Sequence, residues 1–204
     1  MGMKSAKSPR CPGRPRAFCM EQALDRALKV FWRKGYEGTS LADLTQAMRI
    51  NRSSLYAAYG NKEALFRKAL DRYMEGAVAT LRKSMEQPTS RAVVEHLLLA
   101  STAEATSPDQ PHGCLTVRCA LSSGEAADCI RLEMIRCRAD GESILRRRLE
   151  RARAEGDLPA DTCPAELARY VMTVQQGMSV QAAGGASNEQ LSQVVRMALK
   201  VWPC

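Results

Sequence analysis

Apolar residues recur at every third or fourth position along most of this 204-residue chain. That spacing lines one face of an α-helix, whereas a half-buried strand would alternate. The first stripe, Ala23, Leu24, Ala27, Leu28, Phe31 and Trp32, predicts a helix that stops near Lys34, since Gly35 follows where a left-handed cap costs little. Ser40 and Asp43 stand at capping-box spacing, and Leu41, Leu44, Ala47 and Met48 then give a short second helix a buried face. After a turn over residues 48–51, Asn51 caps a third helix, with Leu55 and Tyr59 facing inward and Arg52, Ser53, Ser54 and Tyr56 facing out. Asn61, with Glu63 in the first turn, opens a long helix through Leu65, Ala69, Tyr73 and Ala77 that ends near Met85, before Pro88.

Further helices are predicted at 89–106, 114–122, 124–155, 164–183 and 188–201. The breaks fall at 107–113 with two prolines, at 156–162 with Pro159, and at Gly184-Gly185, all of which suit loops. No strand pattern and no internal repeat emerges, so the expected fold class is all-α. The expected organisation is an arm over 1–19, a three-helix domain over 20–66 and a helical domain over 67–204. Across 167–183 apolar residues appear on nearly every side, interrupted mainly by Arg169, Gln175, Gln176 and Gln181, which predicts a helix buried on two faces. Ser187 and Gln190 form another capping box, followed by the stripe Leu191, Val194, Val195, Ala198, Leu199 and Trp202. This last pair can pack against its symmetry mate as a four-helix bundle, or it can complete the chain's own core.

Charge sharpens the reading of the first three helices. The formal net charge is +8, and residues 1–68 hold 14 Lys or Arg against 5 Asp or Glu, while the remainder is nearly balanced. A basic excess confined to one end is the footprint of a module that binds a polyanion, because neutralised phosphates release counterions. A short helix with polar residues at its exposed N-terminus, after a capped neighbour and a tight turn, is also the geometry that reads base edges in a major groove.

The run Phe31-x-x-x-Gly35-Tyr36-x-x-Thr39-Ser40, followed by Ser54-Leu55-Tyr56-x-x-Tyr59-x-Asn61-Lys62-Glu63-x-Leu65, resembles the N-terminal domain of TetR-type transcriptional regulators. The match spans about residues 20–66 and agrees in spacing throughout. The resemblance implies a helix-turn-helix on double-stranded DNA, with Ser40 touching phosphate, Arg52, Ser53 and Tyr56 reading bases, and Ser54 and Lys62 contacting backbone. Asn51 joins this set at the helix start. It further implies a homodimer built through helices 164–183 and 188–201, a palindromic operator, and release by a small-molecule effector, with repression the expected sign. Arg52 is the leading specificity residue, because a guanidinium grips guanine through two parallel hydrogen bonds.

This sequence departs from the family pattern at three places. Ala57 and Ala58 stand where an aromatic and a histidine are common, which removes a phosphate contact. Tyr59 replaces the usual Phe and needs a partner for its hydroxyl. Arg49 occupies a turn position where Gly is common; a left-handed backbone there costs a side chain about 1 to 2 kcal/mol.

Lys4, Lys7, Arg10, Arg14 and Arg16 lie among Pro, Gly and Ser without apolar periodicity, so the arm is expected to be either a solvated tail or an extended minor-groove contact through Arg14 and Arg16. Leu98, Met134, Val174 and Met178 are candidates to line an effector pocket, with plain core packing as the alternative. The eight cysteines form no Cys-x-x-Cys knuckle, so no metal site or cofactor is expected and most should pack as small hydrophobes. Cys114, after Gly113 at a helix start, is the candidate sensor thiol.

Two other functional classes remain to be weighed. A basic helical adaptor would bind nucleic acid with steep salt dependence and little preference between duplexes. An enzyme finds little support, since no nucleophile elbow, phosphate loop or metal box is visible. No apolar run approaches a secretory signal or the roughly 18 residues of a membrane span, so a cytoplasmic protein without membrane contact is expected.

Overall fold

The computed structural model describes residues 16–121 and 127–203. Among them the chain forms α1 (Arg16–Lys34), α2 (Leu41–Met48), α3 (Arg52–Tyr59), α4 (Lys62–Met85), α5 (Ser90–Ala105), α6 (Leu115–Leu121), α7 (Asp128–Ala154), α8 (Pro164–Ala183) and α9 (Asn188–Lys200). No strand occurs in the described residues. Helix α1 begins at Arg16, earlier than the expected arm boundary, because residues 16–19 contain neither Gly nor Pro to stop it. Arg16 is therefore helical, while Arg14 and the rest of the arm lie outside the described residues. Part of the helix expected from residue 124 also falls outside them, and α7 starts at Asp128.

Local signals explain the helix ends. The Ser40 and Ser187 side chains each accept from the backbone N–H three residues on, and Asp43 and Gln190 reciprocate, so both expected capping boxes form. Asn51, Asn61 and Thr89 cap α3, α4 and α5 in the same way. Arg49 ends α2 at φ 56° and ψ 43°, a left-handed conformation held by its N–H on the carbonyls of Thr45 and Gln46.

Two apolar cores result. One gathers α1 to α4 around Phe31, Leu44, Leu55, Leu65 and Phe66, and continues into α6 and the start of α7 through Leu115, Cys119, Ile130 and Met134. Its aromatic centre is edge-on, with the Phe31 and Phe66 rings 5.1 Å apart at 89° and Tyr36 5.1 Å from Phe66. The Tyr59 hydroxyl donates to the Met20 carbonyl at 3.0 Å, which answers the demand its replacement of Phe creates. The other core packs α5, α8, α9 and the second half of α7 around Leu97, Leu98, Leu145, Leu149, Val171, Val195 and Trp202. Helix α4 joins the two. Its C-terminal end is held by the buried Arg148 guanidinium of α7, which donates to the carbonyls of Met85 at 3.1 Å and Gln87 at 2.8 Å.

Candidate functional site

The exposed face of α3 is assembled by what its other face buries. Leu55 is fully buried and Tyr59 nearly so, which turns Arg52, Ser53, Ser54 and Tyr56 to solvent along with Ala57 and Ala58. Asn51 Oδ1 accepts from the Ser54 backbone N–H at 2.7 Å and from the Ser53 hydroxyl at 2.8 Å. Asn51 thus fixes the helix start and the Ser53 rotamer. The Arg52 guanidinium lies 5.8 Å from the Tyr56 ring centroid and donates to the Tyr56 hydroxyl at 3.5 Å, so the two residues share one side of the helix.

Beside it, Ser40 is exposed at the start of α2 within a polar cluster. The Asp43 carboxylate accepts from Lys34 Nζ at 2.6 Å, from the Ser40 N–H at 3.0 Å and from the Ser40 hydroxyl at 2.8 Å. The Lys34 hydrogen bond, followed by those from Ser40, lowers the Asp43 pKa to about 2. Lys62, at the first position of α4, sets its ammonium 4.5 Å from the Tyr36 ring centroid, and partial burial lowers its pKa. Sequence reading missed Tyr36 as the seat of that cation. The Gly35-Tyr36 corner was visible, but the pairing joins the turn after α1 to the first residue of α4.

A second feature lies behind this surface. A cavity of about 690 Å³ opens between α1, α4, α5, α6, α7 and α8. Asp25, Leu28 and Trp32 of α1 belong to its wall, so the chamber reaches the three-helix unit itself. Contrary to the expectation from helical spacing, Leu98, Met134, Val174 and Met178 do not line it. Leu98 and Met178 are buried in the α5/α8/α9 core, against which Val174 packs, and Met134 points into the core around Phe31. Helical spacing marks an apolar face without saying which part of that face meets a void. Leu97 and Met172, on the same helices, do reach the cavity.

Cys114 stands in the cavity wall immediately before α6. Its Sγ accepts from the Tyr73 hydroxyl at 3.2 Å and lies 3.2 Å from Thr116 Oγ1. Burial holds the Tyr73 phenol well above its ordinary pKa, so it stays a donor. Burial also pushes the Cys119 thiol up to about 11 and raises that of Cys137. The α6 start approaches α8 closely at Gly113, where φ is +87° and an added Cβ would sit 2.8 Å from the Ser179 carbonyl oxygen. Cys114, Cys119, Cys129, Cys137 and Cys163 are free thiols, and no cluster of three or more His, Cys, Asp or Glu among the described residues has the arrangement to hold a metal ion. No helix of the described residues is long and apolar enough to cross a membrane.

Comparison with known proteins converges on one group. The profile described as "Bacterial regulatory proteins, tetR family" matches residues 23–69. The chain is 36% identical over 194 residues to the HTH-type transcriptional repressor ComR of Escherichia coli (strain K12), covering 94% of this chain and 92% of that protein. It is 30% identical over 200 residues to the HTH-type transcriptional repressor BdcR of the same strain, covering 96% and 95%. Among solved structures, a cysteine mutant of the TetR family transcriptional regulator CifR, complexed with 26bp double-strand operator DNA, superposes with a TM-score of 0.87 at 44% identity, covering 93% of this chain and all of that one.

Proposed function

The chain belongs to the TetR family of bacterial transcriptional regulators, and from that membership we propose that it is a homodimeric repressor that reads a palindromic operator and is released by a small molecule in its central cavity. The observation that carries this is the outward face of α3. Arg52, Ser53 and Tyr56 occupy the first turns of a helix whose start is pinned by Asn51, and Arg52 has the planar fork that reads guanine in the major groove. Ser40, Ser54 and Lys62 flank that face as phosphate contacts that set register. The reading unit spans residues 20–66 and the effector and dimerisation unit 67–204, with α4 leading from one to the other.

The outer side of α8 and α9 supports the dimer. Met197 is 60% and Val201 70% exposed in the single chain, with Val180 and Val194 also open to solvent. A symmetric pairing of these helices covers that apolar surface and sets two reading heads on half-sites spaced by multiples of roughly 34 to 36 Å. Footprinting of the DNA upstream of the gene tests the arrangement. Protection of two inverted half-sites by one dimer is the expected result, whereas random coverage with a steep salt dependence favours the adaptor.

The cavity supports the release step because α1 supplies part of its wall, so a ligand there touches the helix against which α2 packs and to which Tyr59 of α3 is hydrogen-bonded. A second reading, favoured by the sulfur in that wall, is that release proceeds by modification of Cys114, to whose sulfur the Tyr73 hydroxyl donates. N-ethylmaleimide provides the check. Its addition at Cys114, found by peptide mass, should lower operator affinity, and full release of Cys114→Ser by the same reagent rules the reading out.

A further inference from the structure

The polar groups in the cavity wall carry a statement about the chemistry of the ligand, resting on the reading of that cavity as the effector site. Of the cations in the wall, Arg72 pairs with Asp25 and Glu75, whereas Arg138 forms no ion pair with any described residue. Its Nε is fully buried without a hydrogen-bond partner, and one terminal nitrogen makes a long 3.5 Å contact to Gln176 Oε1. A buried N–H with no acceptor is costly, and a guanidinium with its Nε edge unmet has the fork geometry that receives two oxygens at once.

At the α1 end of the same cavity, Trp32 is only 7% exposed and its Nε1–H is also buried without a partner. The indole packs edge-on to Tyr73 at 4.8 Å, which ties this end to the Tyr73–Cys114 pair. The residues that carry these two unmet donors, on α1 and α7, thus belong to the wall of one chamber, which is also lined by apolar residues such as Leu81, Ile144 and Met172.

We propose that the cavity takes a small organic carboxylate, its monoanionic head on Arg138, its hydrocarbon body among the apolar wall residues, and a neutral oxygen acceptor within reach of Trp32. A single unpaired guanidinium matches one negative charge, where a phosphate dianion would call for more cations. The cavity volume of about 690 Å³ suits a body of modest size. The acid groups of the wall do not neutralise Arg138: Asp25 engages Arg72, Glu104 accepts from the Thr80 hydroxyl at 2.5 Å, and Asp140 forms no ion pair with Arg138.

The test is calorimetric titration of the full-length protein, without DNA, with straight-chain and phenyl-substituted carboxylates of roughly six to twelve carbons, each paired with its primary alcohol. At least one acid should bind about tenfold or more tightly than its alcohol. That preference should vanish in Arg138→Met with alcohol binding retained, and persist in weakened form in Arg138→Lys, which keeps the charge and loses the fork. Equal binding of acid and alcohol, a preference that survives Arg138→Met, or binding of neither series overturns the proposal. Operator binding by the unsubstituted protein, read separately by anisotropy, distinguishes failure of this ligand class from failure of the regulator reading.

Discussion

The reading face and the cavity are built in opposite ways. The residues that present the face lie within residues 31–66, and its local geometry follows from short-range devices: the Ser40–Asp43 box, the left-handed Arg49 and the Asn51 cap. The cavity draws its wall from six helices and from residues as far apart as Asp25 and Ser179. A surface made of neighbours in sequence keeps its shape when other parts shift, whereas a chamber made of distant residues changes when any one helix moves. This difference suits the first to constant recognition and the second to a response.

The sharpest way to break the comparison is to empty the centre of the head. Phe66→Ala removes a fully buried ring that touches Phe31 and Tyr36. It should cost about 3 to 5 kcal/mol in denaturant unfolding and abolish operator binding with it. Arg52→Ala leaves the fold unchanged and should lose about 1 to 3 kcal/mol of operator affinity, confined to the base pair it reads. An equal loss on all duplexes would make Arg52 a phosphate contact. Gly113→Ala forces a Cβ against the Ser179 carbonyl and a positive φ, and should lower stability by about 1 to 3 kcal/mol. Thermal unfolding measures it, and ligand binding should weaken because α6 and α8 are pushed apart.

The smaller effects concern the turn and the cap. Arg49→Gly relieves the left-handed backbone and should raise stability by roughly 0.5 to 1 kcal/mol, after allowing for the extra freedom of Gly in the unfolded chain. A flat or lower melting temperature contradicts it. Asp43 has a folded pKa of about 2, below its ordinary 3.8, so its contribution is complete above about pH 4 and disappears as pH falls through about 2. The melting-temperature advantage of the native protein over Asp43→Ala should therefore shrink between pH 5 and pH 2.

The contrast also explains what the sequence could disclose. Leu55 and Tyr59 inward with Arg52 and Tyr56 outward was legible, since helical periodicity and one capping residue decide it. The capping boxes at Ser40 and Ser187 were legible for the same reason. The cavity was not. Leu98 and Leu97 are adjacent apolar residues on α5, yet only Leu97 reaches the chamber, and nothing in the local pattern separates them. Trp32, Tyr73 and Arg138 read as ordinary helix residues until α1, α4 and α7 are brought together. Cys114 was marked by Gly113 before it, but its Tyr73 partner lies 41 positions away.

The most direct test of the account is fluorescence anisotropy of the purified protein on its own upstream DNA and on a scrambled duplex of equal length, at two salt concentrations. The account predicts a preference of about a thousandfold or more for the upstream DNA at the higher salt, reduced in Arg52→Ala. Equal affinity for the two duplexes, falling steeply with salt, would contradict it and leave a basic nucleic-acid adaptor in its place.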